Sequence, residues 1–225
     1  MRKSAGIYVE TFIHADTACV WARTQEPNQH QRWDLRFQHI DYLPRNDDEP
    51  QRFRYSSLGI DGVGISVGER VHADGAATSA LRFASEHPMS FIAHGSGYWK
   101  YVPANGGVRF LTGYDYTARW PWADWLLRPM MGWATAWSFD RLRLWIEDGI
   151  TPAASLRHAL VDLAARLGVV AVLSAWHPFA GVLGLAVVAK LPPGRWSPAA
   201  QRTLRRAPDR LAATAPATLA SLDLP

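Results

Sequence analysis

The sequence predicts an α+β fold: a curved antiparallel sheet of six to seven strands over one long C-terminal helix, with an apolar helical tail. Three observations carry this. Short β-branched and aromatic runs follow one another from residue 37 to residue 118 with turn chemistry between them and no helix-length pattern, which argues for a meander rather than parallel βαβ units. Residues 122–147 then repeat apolar side chains at helical spacing. Finally, residues 167–189 form a run of 23 without a charge.

The elements follow in order. Residues 7–13, Ile-Tyr-Val-Glu-Thr-Phe-Ile, read as a strand. Asp16 is placed to cap a short helix through Val20, Trp21 and Ala22, which Pro27 ends, and residues 28–32 add a helical turn before Trp33. Strands are expected at 37–43, 53–58, 69–73, 78–85, 90–102 and 108–118. The acidic loop 44–50 belongs in solvent, and a Gly-rich stretch spans 59–68. Asp74-Gly75 and Asn105-Gly106-Gly107 are hairpin signals.

Alternation assigns the faces. Ser79, Leu81 and Phe83 share one side against Arg82; Trp99 and Tyr101 oppose Lys100; Phe110, Thr112, Tyr114 and Tyr116 oppose Arg109 and Asp115. The buried face is therefore rich in Tyr and Trp. On the long helix one stripe runs Trp122, Leu126, Met130, Trp133, Trp137, Leu144, while Met131, Phe139, Leu142 and Trp145 make the opposite side apolar too. Such a helix needs a partner besides the sheet. Pro129 is expected to kink it or to start its longer half.

Composition bounds the function. Seven of the 11 tryptophans fall between Trp99 and Trp145. The chain carries +4, but through residue 149 there are 16 Lys/Arg against 17 Asp/Glu, and afterwards 8 against 3. The basic balance belongs to the tail, so the folded part offers no face for nucleic acid. The single cysteine, Cys19, excludes an internal disulfide and, within an apolar helical stretch, is expected to be a buried, inert thiol. Met1-Arg2-Lys3-Ser4 lacks the apolar core of a secretory leader.

The tail admits several readings. Its charge-free run is about 34 Å long as one helix, enough for a bilayer core. Arg166 precedes it and Lys190, Arg195, Arg202, Arg205 and Arg206 follow, which would place the basic end in the cytoplasm. Trp176-His177-Pro178 interrupts it. The alternatives are two short helices hinged there, a hairpin entering one leaflet, or a soluble pair lying on the apolar back of the long helix. Residues beyond 208 read as a poorly ordered end. A chain ending at Glu147 or Asp148 is expected to be soluble and folded, and the full chain to float with membranes.

Ile13-His14-Ala15-Asp16-Thr17-Ala18-Cys19-Val20-Trp21 resembles the strand-to-helix entry of the START/polyketide-cyclase superfamily, the helix-grip or SRPBCC fold, and Gln29-His30-Gln31-Arg32-Trp33-Asp34 resembles its second helix. The resemblance covers roughly residues 5–148. It implies a helix-grip ligand-binding domain at 5–148, leaving an apolar tail at 150–207 and the end at 208–225. The superfamily spans lipid carriers, hormone receptors, aromatase/cyclases and co-chaperones, so no catalytic set transfers.

The residues themselves show no strong catalytic motif. Gly62-Val63-Gly64 and Gly95-Ser96-Gly97 open no helix and read as bulges or close backbone approaches. The eight histidines lack paired helical spacing for zinc, and no cofactor is expected. Glu69 with His72, or Asp115 with an Arg, reads as a surface ion pair before an acid/base pair. Trp99, Tyr101, Phe110, Tyr114, Tyr116, Met130, Trp133 and Trp137 are the candidate ligand-binding residues. Phenols and indoles want polar partners, which suits a cavity holding a ligand better than a dry core. Replacing Tyr114 by Phe is expected to alter ligand affinity more than stability. The expected function is binding or carriage of a hydrophobic small molecule (a lipid, an aromatic or a polyketide-like compound) at the cytoplasmic side of a membrane, with residues 167–189 touching lipid. The alternatives are a cyclase/aromatase-type enzyme, an interaction module for a membrane protein, and, for location, the cytoplasm.

Overall fold

The computed structural model describes residues 6–46, 49–69, 75–223 and 225. Among them seven strands form one sheet: β1 (Ile7–Ile13), β2 (His39–Tyr42), β3 (Gln51–Ser57), β4 (Ile60–Glu69), β5 (Ala77–Ala84), β6 (Ile92–Ala104) and β7 (Gly107–Ala118). Their order is β1-β7-β6-β5-β4-β3-β2, and every neighbouring pair is antiparallel. Two helices, α1 (Thr17–Gln25) and α2 (Pro27–Trp33), join β1 to β2, and α3 (Asp124–Glu147) follows β7. The predicted strand, two helices, meander and long helix are all present.

Local chemistry explains the boundaries. Asp16 caps α1 by accepting the Cys19 N–H at 2.6 Å, and Pro27 opens α2, where its missing N–H costs nothing. α1 buries Val20 and Thr24, one turn apart. Cys19 lies off that face and is exposed, so the expectation of a buried thiol fails. The strand expected at 69–73 lies earlier: β4 occupies most of the Gly-rich stretch, and residues 70–74 are outside the described residues. The glycines are packing devices rather than bulges. A Cβ on Gly64 would fall 2.2 Å from the Phe53 ring, and one on Gly62 2.3 Å from the Tyr55 ring, so β3 lays its aromatic side chains across bare backbone in a regular register. The register shifts instead between Ile92 and His94.

The core fills the end of the sheet marked by Ala77, Tyr101 and Phe110, which lie in one row across β5, β6 and β7. Trp33, Tyr101, Phe110 and Phe139 are fully buried there, with the Phe110 and Phe139 rings stacked 4.6 Å apart. The Trp33 indole donates to the Arg23 carbonyl at 2.9 Å, which answers its buried N–H. α3 begins at Asp124 and runs through Pro129 unbroken. Its predicted stripe is displaced in its first half: Trp122, Leu126, Met130 and Trp133 are exposed, while Leu127, Ala136, Phe139 and Leu142 are buried. Trp137 and Leu144 are buried as expected.

The stretch expected to end in disorder instead crosses the outer face of the sheet. Glu10 and Leu204 exchange backbone hydrogen bonds at 2.9 and 2.8 Å, which covers the free edge of β1. Two short helices follow, α6 (Arg210–Ala213) and α7 (Thr218–Ser221), with Ala212 and Leu222 buried. Lys100 donates to the Leu211 carbonyl at 2.6 Å and Tyr98 to that of Ala212 at 3.0 Å, while Arg109 bridges Glu10 and Asp209 at 2.6 and 3.1 Å. The apolar run forms α4 (Pro152–Trp176) and α5 (Pro178–Lys190), an antiparallel pair packed on each other. It does not use the back of α3, which is met by residues 197–203: fully buried Asp140 accepts from the Ala199 N–H at 2.8 Å and from Arg202 at 3.0 Å.

Candidate functional site

The grip closes on half of the sheet, and the other half holds a cavity of about 470 Å³. Its floor comes from β2 to β7, one wall from α2 and the following loop, and its cover from the first half of α3. Phe53, Tyr55, Leu81, Phe83, Met131 and Leu127 make most of its surface apolar. Leu35, Leu58, Phe91, Met130 and Trp133 line it and are also exposed, which makes them its rim.

One charged side chain, Arg36, breaks this apolar surface, and Asp34 holds it from behind. The Asp34 carboxylate is wholly buried and takes a forked contact from Arg36, with Nε–Oδ1 at 2.9 Å and Nη2–Oδ2 at 2.6 Å. His30 lies 3.2 Å from the same carboxylate. The Arg36 guanidinium sits 5.3 Å above the Tyr114 ring and 5.6 Å from that of Phe37, and both His30 and Arg36 line the cavity. Burial alone would raise the Asp34 carboxyl, but Arg36 and His30 reverse this and hold it well below the usual carboxylate range. Burial would likewise lower Arg36, and Asp34 more than offsets it. Both groups are therefore charged at neutral pH. The fork occupies one edge of the guanidinium and Tyr114 hydrogen-bonds it too, leaving the remaining N–H donors for an oxygen on a guest molecule.

The phenols here are poor acids. Burial pushes Tyr42 and Tyr55 up to about 12 each. The Tyr42 hydroxyl donates to the Gln25 carbonyl at 2.8 Å, and that of Tyr114 pairs with Thr135 at 2.9 Å. No group of three or more metal-ligating side chains gathers among the described residues.

The structure divides the eight candidate residues evenly. Trp99, Tyr114, Met130 and Trp133 line the cavity. Tyr101 is core: its hydroxyl meets Thr24 at 2.5 Å and Gln25 at 2.9 Å. Phe110 packs between Trp33, Trp99 and Phe139. Tyr116 lies under Arg128 at the start of α3, and Trp137 stacks on Trp133 from outside the cavity wall. Asp115 makes the expected surface pair, with Arg128 at 2.6 Å. Sequence reasoning passed over Asp34, Arg36 and His30. The available signal was an acid and a base two residues apart directly after a buried Trp.

The strand order and the placement of α3 define a START-like helix-grip fold with an apolar pocket. No family model matches the chain. It is 44% identical over 166 residues to the uncharacterized membrane protein YndG of Bacillus subtilis (strain 168), an alignment covering 69% of this chain and 62% of that protein. The chain thus spans under two thirds of that relative's length. Among solved structures it is similar to a STAR-related lipid transfer protein fragment from Xanthomonas axonopodis, with a TM-score of 0.49, 18% identity, and coverage of 62% of this chain and 84% of that one. Human StAR-related lipid transfer protein 5 gives a TM-score of 0.46 at 14% identity, over 64% and 84% of the two chains. The ZhuI aromatase/cyclase from Streptomyces gives 0.40 at 15%, over 51% and 68%. At these identities the likeness concerns the fold alone.

Proposed function

We propose that the chain binds a hydrophobic small molecule with one oxygen-bearing polar end, at the cytoplasmic face of a membrane. The observation that carries this is the apolar cavity with the Asp34–Arg36 fork in its wall. A cavity of this size suits a guest of lipid or polycyclic-aromatic dimensions. Its rim is apolar as well, so the guest enters without crossing a charged collar. Asp34 accepts hydrogen bonds from two cationic or donor groups, and burial keeps the phenols protonated. That arrangement supports holding a ligand better than moving protons through it. Membrane association is supported by the exposed apolar surface of α4 and α5 and by the naming of the Bacillus relative as a membrane protein. The basic residues that follow α5 favour the cytoplasmic side.

The test is native mass spectrometry of the full chain purified in mild detergent. A co-purifying mass with an apolar body, retained by the wild type and lost from an Asp34→Asn, Arg36→Met double variant, is expected. A cavity that takes up neither a native compound nor a fluorescent fatty acid would refute the reading.

A further inference from the structure

The large apolar side chains of α4 and α5 find no cover on the domain. Leu167, Val172, Trp176, Phe179, Val182 and Leu183 are each more than half exposed. In α4 the buried residues are Pro152 and Ser155, at its foot; in α5 they are Gly181 and Gly184, which face the other helix. A Cβ on Gly181 would fall 2.0 Å from the Ser174 hydroxyl oxygen, and one on Gly184 2.6 Å from the Leu173 side chain. The glycines therefore allow the helices to close into one unit. A pair whose large apolar side chains beyond Arg166 stay exposed is built for a solvent other than water.

We infer that this pair is a leaflet-deep anchor, entering one leaflet of a lipid bilayer tip first and returning on the same side, with the domain fixed at its base. The inference rests on the membrane association proposed above and is independent of what fills the cavity. Length decides between entering and crossing. Arg166 marks the base: its guanidinium pairs with Asp162 at 2.8 Å and donates to the carbonyls of Val188, Leu191 and Pro192 at 2.5, 2.9 and 2.7 Å. Ten residues separate Arg166 from Trp176, a rise of about 15 Å, or half of a ~30 Å hydrocarbon core. α5, with 13 residues, rises about 20 Å and falls short of a span. α4 has 25 residues and the length to cross, but a crossing would carry Asp162 and Arg166 to mid-membrane, where charges are costly. As a hairpin, both stay at the surface.

His177 answers part of the backbone at the tip, which lipid would leave bare. The His177 N–H donates to Leu173 at 2.9 Å, its carbonyl accepts from Gly181 at 3.1 Å, and its ring Nδ1 accepts from the Phe179 N–H at 3.2 Å. Pro178 has no N–H to leave bare. The base suits headgroups, with Arg157, Lys190 and Arg195 exposed beside it. The feet are both fixed to α3. Arg141 donates twice to the Pro152 carbonyl, at 2.8 and 3.1 Å, and Asp140 holds Ala199 and Arg202. The anchor is a rigid mount that sets one attitude of the domain on the membrane.

The test uses the full chain in a Cys19→Ser background, with single cysteines placed at Phe179, Leu191, Arg157 or Arg195 and vesicles of phosphatidylcholine and phosphatidylglycerol. A fluorescent label at 179 should be quenched more by nitroxides near the acyl-chain ends, and one at 191 more by nitroxides near the headgroups. Cysteines at 157 and 195 should both react with an impermeant maleimide added from outside. A Phe179→Asp, Val182→Asp variant should keep its melting midpoint in detergent and lose at least about tenfold in vesicle binding. Reaction of the 179 site from the opposite side of the membrane would overturn the hairpin in favour of a span. A lipid-free dimer that shields the 179 site would assign the surface to a second copy of the chain. Failure to float with vesicles would refute membrane association itself and leave ligand binding standing.

Discussion

Replacing Asp34 by Asn is the sharpest probe of the cavity. The change keeps the shape of the side chain and removes the charge that faces Arg36 across a forked contact of 2.6 and 2.9 Å. The Arg36 guanidinium would remain in a largely desolvated wall without a counter-charge. Breaking a buried pair in this way costs about 3–5 kcal/mol. For a chain of this size that corresponds to a fall in melting midpoint of about 6–20 °C. Adding Arg36→Met removes the stranded charge and puts an apolar stem of similar length beside Tyr114 and Phe37, so the double variant should recover most of the loss. Ligand binding should move the other way. The double variant lacks the donor that meets the oxygen of the guest, a charge-assisted bond worth about 1.5–3 kcal/mol, or about 10- to 150-fold in Kd. Thermal melts followed by near-UV circular dichroism, together with titration of a fluorescent fatty acid, separate the two effects. A single variant that melts within 2 °C or so of wild type, or a double variant that binds the probe unchanged, would refute the reasoning.

Three further outcomes follow from particular contacts. Tyr114→Phe should lower stability by about 1 kcal/mol and leave probe affinity nearly unchanged, because the hydroxyl is spent on Thr135 inside the structure; denaturant melts and the same titration check this. A chain ending at Asp148 should aggregate, since it uncovers Asp140, Lys100 and the edge of β1, whereas replacing residues 153–191 with a flexible linker should leave a soluble monomer; light scattering distinguishes the two. The folded-state pKa of Asp34 lies below its unfolded value, so its contribution is complete above the ordinary carboxylate pKa of about 4 and is lost as pH falls through the lower folded value. The gap in melting midpoint between wild type and Asp34→Asn should therefore be constant from neutrality to about pH 5 and narrow below pH 4.

The order of elements is legible because period and turn chemistry are local. Alternation also reads the faces of β5, β6 and β7 correctly: Ser79, Leu81, Phe83, Trp99, Thr112 and Tyr114 all reach the cavity. It is silent on how far along the sheet α3 reaches, so Phe110 and Tyr101, in the filled half, looked the same as Tyr114 in the open half. The α3 stripe went astray because Met130 and Trp133 are apolar for the sake of a rim rather than a core, and Trp122 and Leu126 are exposed away from both. Asp34 and Arg36 were missed for a related reason. An acid and a base two residues apart read as surface charge until the fold brings aromatic rings over both. The outer strap was illegible because Leu211 and Ala212 bind through backbone carbonyls, which carry no side-chain signature.

The strap also constrains how the chain is made. Residues 195–223 are synthesised after the hairpin, yet Leu204, Leu211 and Ala212 must reach β1, β6 and the outer face of the sheet to answer Glu10, Lys100 and Tyr98. They can do so if the chain comes back to the side on which the sheet already lies. A molecule whose α4 crossed the bilayer would strand its last 30 or so residues on the far side and leave the buried Asp140 carboxylate without Ala199 and Arg202. Under the hairpin proposed above, the fold is complete when both feet of the pair lie on the same side as the sheet, where Asp140 meets Ala199 and Arg202.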